Sequence, residues 1–220
     1  MNKKEKITYL ILPIAINDIL AILIISILYP IYQTNVELYN FLIMIIFGII
    51  IMVIEWSFFL LLLRKLKSEN TPIKLLWRPE KVPNKQVILF GAIFGVIIIG
   101  LSLLMSWFYL ITIELSHQYY IYTLILIILT SITAGITEET IWRAYAFKEL
   151  NFEYNSLWKA ILVSSVSFSL FHGFDPIKLL ITFIIGCAAC WIFYKIKNVY
   201  PLIITHIIAD ILSWALFYFI

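Results

Sequence analysis

The sequence predicts an all-α polytopic transmembrane helix bundle, and three observations predict it. Of 220 residues, 63% are hydrophobic and 13% charged, whereas a soluble domain carries about 45–50% apolar and ~25% charged residues. Mean hydropathy is +0.99, which leaves too few polar residues to coat a single core. The apolar residues run in continuous blocks without period-2 alternation. That pattern suits helices and disfavours a closed β-barrel, the other fold that satisfies its own backbone in lipid. Seven glycines, seven prolines and two cysteines exclude a collagen-like repeat, a disordered chain and a disulfide scaffold.

A helix needs about 20 apolar residues to cross a hydrocarbon layer of ~30 Å. Residues 7–29, 41–63, 86–113 and 119–137 meet that length. Residues 157–171, 177–194 and 201–220 are shorter or interrupted, as expected of segments packed inside a bundle. The expectation is seven spans, within a range of six to eight. The first is too long for the h-region of a cleavable signal and lacks a small-x-small site, so it reads as a retained span. The chain divides into residues 1–118, membrane helices and a linker, and 119–220, which carries the polar motifs.

The basic residues order this ladder. Lys3, Lys4 and Lys6 precede the first span, seven Lys and Arg lie between 64 and 85, Arg143, Lys148 and Lys159 lie within 138–159, and Lys195 and Lys197 lie within 195–200. Fifteen of 16 thereby fall on one side, with Lys178 the exception, while 30–40 and 114–118 hold none. Cytoplasmic loops hold the excess of Lys and Arg, so the N-terminus is expected inside and, with seven spans, the C-terminus outside. Topology accounts for the net charge of +3, and no nucleic-acid partner is expected. Residues 68–85, with three prolines and Trp77, read as a plain connector or as a linker at the headgroup layer. No internal repeat supports a transporter built from two matching halves.

Ionisable groups inside a membrane are default functional candidates. Asn17, Asp18 and Glu55 stand singly in the first two spans and read as structural. His117, accompanied only by Glu114, reads as a surface histidine of an exterior loop. Cys187 and Cys190 form a CxxC, but no second ligand pair accompanies them. Gly186, Ala188 and Ala189 beside them indicate close helix packing.

The remaining polar residues fall in three groups at one-turn spacing. In Thr137-Glu138-Glu139-Thr140-Ile141-Trp142-Arg143, a helix places Glu139 and Arg143 four apart on one face, with the acid N-terminal as an ion pair favours. Glu138 then points about 100° away, free to face a cavity as a general base. A solvated charge cluster at a helix end has the same pattern. Phe168 and His172 are spaced i,i+4, as are His206 and Asp210. The latter spacing lets the carboxylate orient the ring, accept from the same water, or share a metal.

These residues, E-E-x-x-x-R at Glu138, Glu139 and Arg143, F-x-x-x-H at Phe168 and His172, and H-x-x-x-[N/D] at His206 and Asp210, resemble the motifs of the CPBP family of intramembrane proteases. That family includes the type II CAAX prenyl endopeptidases and bacterial proteins of the Abi or bacteriocin self-immunity group. The resemblance covers residues 119–220, and the first half matches only in being membranous. It implies an intramembrane endopeptidase of a bacterial plasma membrane, acting on hydrophobic or lipidated, CAAX-type peptides at the lipid bilayer. The resemblance also implies roles for the residues. Glu138 takes the proton of the attacking water, His172 holds that water or a metal, His206 and Asp210 stabilise the oxyanion or complete a coordination shell, and Glu139 and Arg143 shape the site. The same fold also admits a non-catalytic immunity or peptide-binding protein.

Two chemistries follow. In one, Zn2+ is held by His172, His206 and a carboxylate, Glu138 or Asp210, with a water at the open position. In the other, Glu138 and His172 activate water without a metal while His206 and an amide at position 210 donate to the oxyanion. Asp210 stands where the prenyl-endopeptidase branch usually has Asn. An ionised carboxylate cannot donate, so the second scheme requires Asp210 protonated or assigned to orienting His206, which tilts the expectation to the metal. The ladder also leaves a conflict, because it sets Glu138 near the cytoplasmic face and His172 ~20 Å along an upright span. A helix that continues past Arg143, a start of 157–171 outside the bilayer, or a bend at Gly135 would each ease it.

Overall fold

The structure, a computed structural model, describes residues 1–109 and 119–219. Glu114, His117 and the expected loop 114–118 lie outside the described residues. Among the described residues eight helices follow in order: α1 (Lys3–Tyr32), α2 (Val36–Ser68), α3 (Ile73–Trp77), α4 (Asn84–Tyr109), α5 (Tyr120–Tyr154), α6 (Leu157–Phe171), α7 (Pro176–Ile196) and α8 (Tyr200–Phe219). Helices α1, α2, α4, α5 and α7 are long and apolar enough to cross a membrane, while α6 and residues 200–214 of α8 form shorter apolar helices. The chain is an all-α, polytopic integral membrane protein, and each of the seven expected apolar segments is one of these helices. Outward side chains such as Ile27, Ile88 and Val96 are largely uncovered, the inside-out surface that a lipid solvent permits.

Local chemistry sets the helix ends. Asn35 caps α2 by accepting from the Leu38 amide at 2.9 Å, the standard N-cap bond. Helix α6 stops at His172 because Gly173 takes φ +101°, a left-handed turn that suits glycine after a helix C-terminus. Asp175 then caps α7, its Oδ1 accepting from the amides of Ile177 and Lys178 at 3.1 and 2.9 Å, with Pro176 in the first turn. Between Ile7 and Ile11 the first helix widens into a π-helical turn just ahead of Pro13, whose missing N–H interrupts the regular ladder.

The largest departure from the sequence reading lies at Glu138. The span expected to end at residue 137 runs on without a break to Tyr154, through a π-helical stretch from Glu139 to Phe147. Every residue of that stretch is buried, so its charges face one another inside the bundle and have no reason to end the helix at the water. Arg143 is accordingly no topology marker, being wholly enclosed by protein. The reversal comes at Asn155, in the left-handed conformation with φ 45°, and α6 returns antiparallel along α5. Glu138 and His172 each lie 17 residues from Asn155, so the hairpin brings them level and the expected ~20 Å gap disappears.

Residues 68–85 are not a bare connector either. Helix α3 buries Leu76 and docks on the core, where the Trp77 indole N–H donates to Thr140 Oγ1 at 2.9 Å and the Trp77 carbonyl accepts from the Val199 amide at 2.9 Å. At one end of the bundle, Lys6 pairs with Glu153 at 2.5 Å, Lys65 with Glu5 at 3.0 Å, and Lys65 also with Glu69. The start of α1 and the ends of α2 and α5 therefore share one face of the bundle, as the charge ladder requires.

Small residues let the helices touch. Gly186 faces Ser165 across α6 and α7, where an added Cβ would come within 3.0 Å, and Cys190 is a buried free thiol, in keeping with a packing role for this segment. Gly135 is a contact between helices and not a bend. A Cβ there would meet Ile207 Cγ1 at 2.5 Å and the Ile203 carbonyl at 3.1 Å, so only glycine lets α5 lie against α8. Gly135→Ala is expected to destabilise the protein by about 1–3 kcal/mol through overpacking. Gly100→Ala, which meets nothing within 4 Å, is expected to be neutral or stabilising by up to ~1 kcal/mol. Thermal unfolding of the two variants in detergent, side by side, checks the difference.

Candidate active site

Glu138 lies near the middle of α5 and is 3% exposed. Its Oε2 has no hydrogen-bond partner and stands 3.8 Å from Nε2 of both His172 and His206. The two rings are held by different means. His172 Nδ1–H donates to the Phe168 carbonyl at 2.9 Å. A carbonyl can only accept, so the proton sits on Nδ1 and Nε2 is left to face Glu138. The end of α6 is itself fixed from α1, since the Asn17 amide donates to the Phe171 carbonyl at 2.9 Å. Asn17 therefore has the structural role read from the sequence.

His206 Nδ1–H donates to Glu139 Oε1 at 2.8 Å. Glu139 Oε2 lies 3.4 Å from Arg143 Nε, the i,i+4 pair expected from the sequence, and neither side chain has any exposed surface. The Arg143 guanidinium lies over the Phe168 ring at 3.8 Å, and that ring packs on His172 at 4.5 Å between centroids. A continuous chain of contacts thus runs from His206 through Glu139, Arg143 and Phe168 to His172. It explains why a phenylalanine stands four residues before the histidine.

Asp210 does join the cluster, with Oδ2 3.5 Å from His206 Nε2. It is not what orients the ring, because Glu139 takes the Nδ1 proton at the shorter distance. The sequence did not show this, since Glu139 and His206 are 67 residues apart. Asp210 and His172, with side chains 27% and 22% exposed, form the open edge of an otherwise enclosed centre. Glu138, His172, His206 and Asp210 do converge.

Two further residues belong here. Glu55 of α2, 3% exposed, accepts from Thr137 Oγ1 at 3.1 Å, next in sequence to Glu138. It is not the isolated structural glutamate expected from its position; a carboxylate inside a span was the one available signal. Lys178, the one basic residue off the ladder, lies where its charge acts on His172, Glu138 and Asp210.

Two imidazoles and two carboxylates are apt ligands for zinc. Their spacing is not. Ligands on one tetrahedral zinc with bonds of 2.0–2.1 Å lie about 3.3 Å apart, against 3.5–3.8 Å here. Among the described residues, no three His, Cys, Asp or Glu are gathered closely enough to hold a metal ion. The residues as placed are not gathered around one point as a metal requires.

Fold and centre together define a polytopic membrane protein with a carboxylate–imidazole cluster between its helices, buried except for the partly exposed His172 and Asp210. Residues 120–212, somewhat under half of the chain, match the type II CAAX prenyl endopeptidase Rce1-like family. All three motifs lie inside the match, which supports membership of the CPBP group of intramembrane proteases. No curated protein and no solved structure matches the chain.

Removing one partner of a buried ion pair costs about 3–5 kcal/mol, because the other charge is left uncompensated. Glu139→Gln is therefore expected to lower stability by that order. The double change Glu139→Leu with Arg143→Met is expected to recover part of the loss, which a double-mutant cycle of unfolding measurements would quantify.

Proposed function

We propose that the protein is an intramembrane endopeptidase that hydrolyses hydrophobic or lipidated peptides, of which CAAX-type tails are one class, by general-base activation of water at Glu138. The observation that carries this reading is the unpartnered Glu138 Oε2 facing Nε2 of both histidines at 3.8 Å. Buried polar atoms are seldom left unpaired, and a water between these groups would donate to Glu138 and to His172 together. With both its hydrogens held, its oxygen lone pairs face outward to a peptide carbonyl entering along the exposed edges of His172 and Asp210.

In the reaction Glu138 takes one proton as the water oxygen bonds to the carbonyl carbon. His206, as imidazolium, donates from Nε2 to the developing oxyanion, with Glu139 and Asp210 balancing its charge. The C–N bond then breaks and Glu138 returns the proton to the leaving amine. Asp210 in this scheme holds His206 charged and donates nothing, which removes the difficulty of a carboxylate where the related branch has an amide. Family membership supports proteolysis in general, and the uncovered apolar flanks of the bundle support substrates that arrive through the membrane.

The test is cleavage of hydrophobic and prenylated peptides by purified protein. Glu138→Ala and His172→Ala are each expected to lower the rate by at least about 10²-fold, with unfolding temperatures near that of the parent. A chelator is expected to leave the parent rate unchanged, and loss of activity on chelation would restore the zinc scheme. Hydrolysis that survives Glu138→Ala would overturn the assignment of the base.

A further inference from the structure

We infer that Lys178 is a specificity-determining residue, whose ammonium takes the free C-terminal carboxylate of a peptide lying in the site. The inference rests on the endopeptidase reading. Its ground is where the fold places this lysine. Of 16 Lys and Arg, all but Arg143 and Lys178 fall in segments at the basic end of the charge ladder, and Arg143 is engaged by Glu139 and Phe168. Lys178 stands apart from the rest, in the first turn of α7, just past the turn that follows His172.

Helical periodicity directs its side chain inward. Ile181, Ile185, Ala189, Ile192 and Ile196 form a buried stripe along α7. Lys178, three and seven residues ahead of the first two, continues that stripe by one turn. Thr182 Oγ1, four residues on, lies 3.2 Å from Ser169 Oγ of α6, and Gly186 lies against Ser165, so this side of α7 faces α6. The two helices run antiparallel. His172 is three residues past Ser169 and Lys178 four residues ahead of Thr182, which sets them ~5 and ~6 Å beyond the contact and so nearly level. Lys178 is itself half-buried, and it borders the open edge of the cluster, where the His172 side chain is 22% exposed.

An ammonium so placed inside an apolar bundle calls for an anion. Glu138 and Asp210 lie against imidazoles, and Asp175 Oδ1 accepts from two amides of the α7 first turn. Among the described residues no carboxylate stands within 4 Å of Lys178 Nζ. A peptide brings an anion at its C-terminus, and without a counter-charge that end would be repelled by Glu138 and Asp210. Lys178 offsets the repulsion at the edge of the cluster and leaves Glu138 to the water. Axes of packed helices lie about 8–10 Å apart, the length of about three extended residues. The bond cut beside His172 therefore falls a few residues from the chain end held on α7.

The experiment uses the full chain purified in detergent or nanodiscs and one hydrophobic peptide in two forms, free acid and C-terminal amide. For the parent, kcat/KM is expected to be about 10-fold higher for the free acid, the factor given by a charge-assisted bond of about 1.4 kcal/mol, with most of the difference in KM. Lys178→Met should slow the free acid to the rate of the amide, and Lys178→Arg should keep the preference. A binding measurement needs no catalysis. To Glu138→Ala protein the free acid should bind about 10-fold tighter than the amide, and adding Lys178→Met should abolish that ratio.

No preference for the free acid in either assay, or a loss on Lys178→Met that is equal for acid and amide, overturns the inference. An amidated peptide ending in Glu that is cut as fast as the free acid overturns the assignment to the chain terminus. If the parent cuts neither form while the binding preference and its loss on Lys178→Met hold, the endopeptidase reading fails and the carboxylate site stands.

Discussion

A membrane protein that buries charge must neutralise it internally, and the pairing of Arg143 with Glu139 is the point on which the rest of this structure depends. Both side chains are fully enclosed, and in lipid neither could be left alone. Once Arg143 holds one oxygen of Glu139, the other is free to fix the His206 ring. On its opposite side Arg143 holds the Phe168 ring, against which His172 lies. One ion pair thus sets the orientation of two imidazoles on two further helices. A buried pair of this kind contributes little net stability against an apolar replacement. Its value here is the geometry it imposes.

The same constraint accounts for the shape of α5. A helix carrying two glutamates and an arginine in consecutive turns would be expected to leave the membrane, yet it continues with every residue from Glu139 to Phe147 buried. The π-helical winding of this stretch is uncommon and is often found at functional sites. Here it lies directly after Glu138, and the contact at Gly135 one turn earlier seats α8 beside it. Docking of Trp77 on Thr140 closes the other flank. The site is therefore held by most of the bundle: α1 fixes the end of α6, α2 brings Glu55, and α3 covers the widened turn.

Much of this was legible from residue types and spacing. Seven apolar segments, the i,i+4 relation of Glu139 to Arg143, and the candidacy of Glu138, His172, His206 and Asp210 all follow from local pattern, because hydrophobic length and helical periodicity are properties of a few successive turns. What could not be read was partnership across the chain. Glu55 had no visible partner because Thr137, which bonds to it, is on another helix, 82 positions away. Asp210 looked like the orienting group for His206 because it is near in sequence, while Glu139 is nearer in space. Arg143 was counted among the charges of a cytoplasmic loop because a charge at the end of an apolar run gives no sign of whether water or protein will surround it.

By itself, then, the sequence determined that the chain is a helical membrane protein and which few polar residues it could not afford to leave unpaired in lipid. The tertiary structure alone decided where the spans stop, which carboxylate serves which imidazole, and that a glutamate of the first half bonds to Thr137 beside Glu138. The physical reason is range. Helix formation and membrane partition respond to neighbours within a turn or a span, whereas the pairing of buried charges depends on which helices pack together, and that is settled by close contacts such as Gly135 against α8 that no local pattern encodes.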